Sequence, residues 1–185
     1  SHVPRGSTPT VFAFASATPP PPFAPPPGIA AVTAEDTRWA RCDIKSTALL
    51  ANVLHKWRAA EAGAVEALLL RDGQLTEGAS SSVHAVVDDA LLTPPLSDAL
   101  LPGTTRELLL ELARRSGLES RIEPISEAQL RSASEIMVAS AGGGVRAVTA
   151  LDGRPVGSGQ PGPAFLRLFA ALVAARAEFS TELPP

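Results

Sequence analysis

The chain has 185 residues, 45% of them hydrophobic and 19% charged, which is typical of one globular domain with a sizeable core. Its net charge of −3, without a basic stripe, excludes a nucleic-acid-binding surface. No apolar run is long enough to span a bilayer, no segment resembles a signal peptide, and the single cysteine, Cys42, excludes a disulfide within the chain. These features predict a cytoplasmic protein.

Residues 1–32 are expected to form a segment that enters the main domain. The letters VPRGS at positions 3–7 match the core of a thrombin cleavage site, which would make them an expression remnant. We favour native sequence, because His2 stands where that site has leucine and a strand-like apolar stretch, TPTVFAFA, follows at 8–15. Residues 18–28 are rich in proline, which lacks an amide donor, and are predicted to form a surface connector.

Hydrophobic periodicity predicts the elements of the next seventy residues. Strands are expected at residues 29–33, 64–70, from 75 onward, 83–87 and 90–93. Residues 46–62 have helical periodicity, and Gly63 is placed to end the helix. Five apolar residues share one side of this helix: Leu49, Leu50, Val53, Leu54 and Trp57. Both tryptophans, Trp39 and Trp57, are expected in the core.

The second half of the chain continues the alternation of helices and strands. Helices are predicted at 104–116, 126–132 and 164–179, and strands at 135–139 and 145–151. A glycine-rich turn at 141–144 separates these two strands. Interleaved helices and strands indicate the mixed α/β class, and we assign residues 33–185 to one domain.

Two side chains and one turn are the candidate chemical groups. A lysine amine such as Lys45 can form a Schiff base with pyridoxal phosphate (PLP), and a carboxylate such as Glu77 can hold the pyridine nitrogen protonated. Taken alone, Lys45 is also typical of a solvated helix charge and Glu77 of an ordinary turn. The turn Gly103-Thr104-Thr105 leads into a helix whose first amides favour an anion, but most such turns taken alone are simple N-caps. The histidines lack metal-ligand spacing, so no metal site is predicted.

Three stretches resemble successive blocks of the fold-type IV, or class IV, PLP-dependent aminotransferases: RWARCDIKSTALLANVL at 38–54, LTEGASSSVHAV at 75–86 and LLPGTTRELLLELA at 100–113. Within that family they are most similar to the D-amino acid aminotransferases. The resemblance implies that residues 33–185 are the PLP-binding larger domain, with a barrel-like β-sheet. It also implies a homodimer and a smaller N-terminal domain, which this chain is expected to lack.

The resemblance assigns a role to each matching residue. Lys45 becomes the Schiff-base lysine, Glu77 the partner of the pyridine nitrogen, and Arg5 a ligand of the substrate carboxylate. Arg38 is expected near the phenolic oxygen of the cofactor, with an exposed salt bridge as an equal alternative. The other cofactor contacts are Leu101 on the ring, and Thr104, Thr105, Ser140 and Ala141 around the phosphate.

The implied activity is transamination between a D-amino acid, such as D-alanine, and a 2-oxo acid. An aminodeoxychorismate lyase or a branched-chain aminotransferase of the same fold type is the alternative, and Arg5 favours the first interpretation. Ser82, His84 and the Ser140-Ala141-Gly142 loop depart from the family pattern. The loop departure and the expected lack of the small domain leave a truncated, non-catalytic PLP-domain as a further alternative.

Overall fold

The computed structural model describes residues 8, 10–17 and 22–182, which form nine strands and four helices. The strands are β1 (Ile29–Glu35), β2 (Glu66–Arg71), β3 (Gln74–Gly78), β4 (Ser82–Val87), β5 (Ala90–Thr93), β6 (Ser120–Ile122), β7 (Glu135–Ser140), β8 (Gly144–Leu151) and β9 (Arg154–Pro155). The helices are α1 (Leu50–Glu61), α2 (Thr104–Arg115), α3 (Glu127–Ser132) and α4 (Pro163–Glu182).

All nine strands belong to one sheet, in the order β3-β2-β1-β8-β7-β4-β5-β6, with β9 paired to β8. β1 runs parallel to β2 and β8, and β5 runs parallel to β6. The sheet curls until its β3 edge meets the segment that follows β6. There Leu75 N donates to Ile125 O at 2.8 Å, and Glu127 N donates to Gly73 O at 2.9 Å. The predicted mixed α/β class with a barrel-like sheet is confirmed.

Apolar side chains cover both faces of the curled sheet. One face buries a cluster that includes Ile29, Leu68, Val83 and Ile136, together with Leu130 of α3. The opposite face packs against α2 and α4 through a second cluster that includes Leu109, Phe165 and Leu168. Because neither face meets water, strands such as β4 and β7 are nearly continuous apolar runs. The sheet therefore provides a rigid support for the loops at its ends.

Helix α1 begins at Leu50, four residues later than predicted. Ser46 Oγ accepts a hydrogen bond from Ala48 N at 3.3 Å, and such local bonds compete with the helical hydrogen-bond pattern. The apolar side of α1 is exposed, with Leu50 72% and Trp57 61% accessible. The prediction that Trp39 and Trp57 lie in the core is wrong. Small residues such as Ala59 bring the opposite side of α1 onto the sheet instead.

The segment before β1 also differs from the prediction. Residues 8 and 10–17 lie in no strand, and the side chains of Val11, Phe12 and Phe14 are exposed. An apolar pattern makes a strand only where a neighbouring strand supplies backbone hydrogen bonds, and none of the described strands pairs with this stretch. None of the helices in the described residues is both long and apolar enough to cross a membrane.

Candidate functional site

A cavity of about 680 Å³ lies between the segment that leads into α1, the β3–β4 turn, the start of α2 and the end of β7. It brings together eight of the nine residues that the sequence singled out: Arg38, Lys45, Glu77, Leu101, Thr104, Thr105, Ser140 and Ala141. The ninth, Arg5, lies outside the described residues. Four separate segments thus converge on one space, although the roles assigned to these residues stay predictions.

The carboxylate of Glu77 is held at the wall of the cavity by two donors. Its Oε1 accepts from Arg38 Nη1, and its Oε2 accepts from the backbone N of Leu101 at 3.1 Å. Arg38 is fixed in turn by Asp36, with 2.9 Å from Nε to Oδ1 and 2.9 Å from Nη2 to Oδ2. All three charged side chains are buried. This burial excludes an exposed salt bridge for Arg38, whose guanidinium instead forms a buried ion pair with Glu77.

The two carboxyl groups of this network differ in pKa. Burial raises the pKa of Glu77 above its ordinary value, while the hydrogen bond and the charge of Arg38 act in the opposite direction. Burial also acts to raise the pKa of Asp36, but hydrogen bonds from Arg38 and the charges of Arg38 and Arg71 outweigh it and lower that pKa. Asp36 is therefore a fixed charge, whereas a cationic nitrogen facing Glu77 would favour its ionised form.

The two lysines of the chain both line the cavity, but only Lys56 pairs with another described residue. Lys56 Nζ donates to Val65 O at 2.7 Å and lies 3.3 Å from Glu66 Oε1. Lys45 lies in the loop between β1 and α1 and forms no hydrogen bond or ion pair with any described residue. Its amine is therefore available to react with a ligand in the cavity.

The start of α2 offers an anion site on another wall of the cavity. Its N-cap is Gly103, and no side chain caps it, so the first amides of the helix are available to a ligand. A Cβ on Gly103 would lie 2.8 Å from Ser82 Oγ, so a larger residue here would displace the Ser82 hydroxyl. In the turn between β7 and β8, Ser140 Oγ accepts a hydrogen bond from Gly143 N at 3.1 Å. This bond holds the turn at the edge of the cavity.

Four polar residues that organise the site were not predicted from the sequence: Asp36, Asn52, Lys56 and Glu66. Asn52 Nδ2 donates to Ala79 O at 2.8 Å, which ties α1 to the turn after Glu77. The position of Glu66 carried a signal, since a glutamate that begins the apolar strand EALLLR is a buried charge in need of partners. Asp36 and Asn52 carried none, because their partners are distant in the sequence.

Comparison with known proteins gives concordant matches. Residues 2–151 match the family described as amino-transferase class IV. The chain is 41% identical over 158 residues to D-alanine aminotransferase of Bacillus licheniformis, which covers 85% of this chain and 56% of that protein. It is 41% identical over 136 residues to D-alanine aminotransferase of Staphylococcus haemolyticus, covering 74% and 48%. The chain spans about half the length of the curated relatives it matches.

Solved structures agree with these matches. The branched-chain amino acid aminotransferase of Thermobaculum terrenum, in its PLP form, superposes with a TM-score of 0.75 at 25% identity, covering 85% of this chain and 55% of that one. A fold IV-transaminase from Curtobacterium pusillum superposes with a TM-score of 0.73 at 26% identity, covering 83% and 54%. Sequence and structure comparisons therefore select the same family.

Proposed function

We propose a function from the premise that this chain belongs to the class IV aminotransferases, whose family pattern covers residues 2–151. The cofactor of that family is PLP. We propose that the chain supplies the cofactor-binding part of a PLP-dependent aminotransferase. The observation that carries the proposal is that one cavity is lined both by Lys45, whose amine has no partner among the described residues, and by the buried carboxylate of Glu77.

The residues of the cavity fit PLP in three respects. The uncapped start of α2, with Thr104 and Thr105, and the Ser140–Ala141 turn offer donors to a phosphate. Glu77 offers its carboxylate to the pyridine nitrogen, and Leu101 lines the cavity where a ring can pack. Lys45 offers the amine that holds the cofactor covalently. When bound, PLP supplies an electron-accepting ring that stabilises negative charge from the substrate α-carbon.

The side chains then have separate tasks. With PLP held in the cavity, the amine of Lys45 would be the group that moves a proton to or from the α-carbon of the substrate. Glu77 would favour a protonated pyridine nitrogen, because its carboxylate, which Arg38 and the Leu101 amide hold in place, lines the cavity. Arg38 acts through Glu77 in this scheme, and a contact with the phenolic oxygen stays a prediction.

For the substrate, we propose a D-amino acid such as D-alanine, with a 2-oxo acid as the acceptor. The 41% identity to curated D-alanine aminotransferases supports this choice. A branched-chain amino acid is the second candidate, supported by the branched-chain aminotransferases among the structural neighbours. Arg5 separates the two. If it holds the substrate carboxylate, Arg5→Ala raises KM for D-alanine, and an unchanged KM would remove Arg5 from the site.

The cofactor proposal is tested by adding PLP to the wild-type chain, reducing with borohydride and mapping the phosphopyridoxyl mass by peptide sequencing. We expect the label on Lys45, and no label in Lys45→Ala. The matched control is Lys56→Arg, which removes the only other lysine of the chain but keeps a positive charge beside Glu66, and the label should remain on Lys45. Label on Lys56, or no absorbance band of bound PLP in the wild-type protein, would contradict the proposal.

The substrate proposal is tested on the PLP-loaded protein. We expect D-alanine to bleach the visible band, while L-alanine and L-leucine leave it unchanged. Bleaching by L-leucine alone would instead favour the branched-chain candidate.

We also propose that the protein is a homodimer, as the resemblance implies, and that it resides in the cytoplasm. The exposed apolar side of α1, which includes Leu50 and Trp57, supports a surface that a second copy covers. Sedimentation of the wild type beside Leu50→Glu tests it. A dimer that Leu50→Glu dissociates is expected, and a wild-type monomer would overturn the proposal.

A further inference from the structure

A second buried carboxylate, Glu66, lies behind the cavity wall and is not among its lining residues. Its side chain is 4% exposed, and three hydrogen bonds and one ion pair satisfy its two oxygens. Oε1 accepts from Ala67 N at 3.0 Å and lies 3.3 Å from Lys56 Nζ. Oε2 accepts from Ser80 Oγ at 3.0 Å and from Ser81 Oγ at 2.9 Å. Two consecutive residues of one turn thus share a single oxygen of Glu66.

That turn directly follows Glu77 and is tightly built. Gly78 N donates to Ser81 O at 2.7 Å, and Ala79 N donates to Ala67 O at 2.9 Å. A Cβ on Gly78 would lie 2.3 Å from Ser81 Oγ, so the serine hydroxyl is packed against the backbone of the turn. Because Ser80 and Ser81 both donate to Glu66, its carboxylate helps to hold this turn beside Glu77.

The hydrogen bonds also determine the polarity of the cavity wall. A serine hydroxyl has one proton, and in Ser80 and Ser81 that proton is donated to Glu66. The oxygen atoms can then only accept hydrogen bonds from a ligand in the cavity, which both serines line. Such a wall favours an amine or ammonium group and disfavours a carboxylate or phosphate.

We propose that Glu66 is a positioning residue of the site. It anchors the 78–82 turn beside Glu77 and sets Ser80 and Ser81 as acceptors for an amino group in the cavity. The inference rests on the proposed function for the identity of that amino group, which is the amine of Lys45 or of the substrate. The anchoring itself depends only on the hydrogen bonds of the chain.

Hydrogen exchange of the cofactor-free full chain tests the anchoring. In Glu66→Gln, one carboxylate oxygen becomes an NH2 group, which then faces either the two serine hydroxyls or the Ala67 amide and Lys56. All of these groups donate to Glu66 in the wild type, so the hydrogen bonds on that side are lost or reversed. We expect the Gly78 and Ala79 amides to exchange about tenfold faster, as expected for the loss of a hydrogen bond to a charged group. The Leu130 amide in α3 should be unchanged. The matched control is Glu61→Gln, an exposed carboxylate of α1, which should leave all three amides unchanged. Unaltered exchange at Gly78 and Ala79 in Glu66→Gln would overturn the proposal.

PLP affinity, measured by absorbance titration, tests the effect on the site. We expect Glu66→Gln and Ser80→Ala/Ser81→Ala each to weaken PLP binding about tenfold, and the triple variant to be no weaker, because the three residues act as one unit. Additive losses, or wild-type affinity in Glu66→Gln, would contradict a positioning role. Should Glu66→Gln fold poorly, the serine double variant keeps the buried charge in place and decides the same question through the same two readouts.

The two proposals fail in different ways. If the wild-type chain binds no PLP, the proposed cofactor function fails, while the exchange rates still decide whether Glu66 anchors the turn. If PLP labels Lys45 but Glu66→Gln changes neither the amide exchange rates nor the PLP affinity, only the positioning role fails.

Discussion

The two sides of the cavity differ in how completely the folded chain satisfies its own side chains. On the carboxylate side, Asp36, Arg38 and Glu77 are buried, and every carboxylate oxygen has a donor. On the amine side, Lys45 has no partner in the described part of the chain, and the neighbouring Leu49 and Leu50 are exposed. The folded chain thus supplies hydrogen-bond partners for the charged groups on the carboxylate side, whereas Lys45 on the amine side has none among the described residues.

The difference follows from the cost of burying charge. A buried ion without partners costs on the order of several kcal/mol, so the carboxylate side must be complete in the folded chain. An exposed amine and an exposed apolar helix face cost much less, so they can remain open until a ligand or a second molecule covers them. The carboxylate side is therefore preorganised, and the amine side is where binding changes the surroundings most.

Removing Arg38 is the strongest test of this comparison. Arg38→Ala leaves Asp36 and Glu77 without their shared cation, and we expect the free energy of unfolding to fall by about 3–5 kcal/mol. Urea unfolding at pH 7 measures the loss. The control is Arg41→Ala, whose ion pair with Asp43 is exposed and whose removal should change stability little. Equal losses of unfolding free energy in the two variants would show that the buried ion pairs of Arg38 stabilise the fold no more than the exposed ion pair of Arg41.

Phe165 and Trp57 compare a buried ring with the open helix face. Phe165, on α4, is fully buried in the cluster that joins this helix to the sheet and α2, and Phe165→Ala should lower the free energy of unfolding by about 3–5 kcal/mol. Trp57→Gln should change it by no more than about 0.5 kcal/mol in the monomeric state. Chemical unfolding at low protein concentration measures both. A large loss for Trp57→Gln would mean that the α1 face is already covered within one chain.

His84 is a buried polar residue that, unlike Asp36 and Glu77, lacks hydrogen-bond partners for its side chain in the described part of the chain. It is buried in β4, and neither ring nitrogen has a hydrogen-bond partner among the described residues. Burial, with the charge of Arg106 as a second cause, lowers the pKa of His84 from 6.5 to about 3. Between these pH values the unfolded chain binds a proton that the folded chain rejects, so stability falls as pH decreases from 6.5 toward 3.

The expected loss from this residue between pH 7 and pH 5 is about 2 kcal/mol. His84→Phe should remove that part of the pH dependence, and urea unfolding of both proteins at pH 7 and pH 5 measures the difference. The carboxylates titrate in both proteins, so their contribution cancels in the comparison. Identical pH dependence in the two proteins would show that His84 is protonated as easily in the folded chain as in the unfolded one.

Local patterns in the sequence predicted most of the elements and the candidate residues. The helical period of α2 and α4, the apolar runs of β4 and β7 and the capped start of α3 are all properties of neighbouring residues. The resemblance pointed to Lys45, Glu77 and Thr104, and the structure brings them to one cavity. The strands β6 and β9, with three and two residues, were not predicted because such short segments show no period.

By itself, the sequence determined the family, the α/β class and the residue types available for chemistry. The pairing of the polar groups is visible in the folded chain alone: Arg38 bridges Asp36 and Glu77, and Ser80 and Ser81 donate to Glu66. The tertiary structure also decided that α1 lies on the sheet through alanines and leaves its large apolar residues exposed. The physical reason is that periodicity reports which residues share a face, whereas burial and pairing depend on what the rest of the chain places against that face.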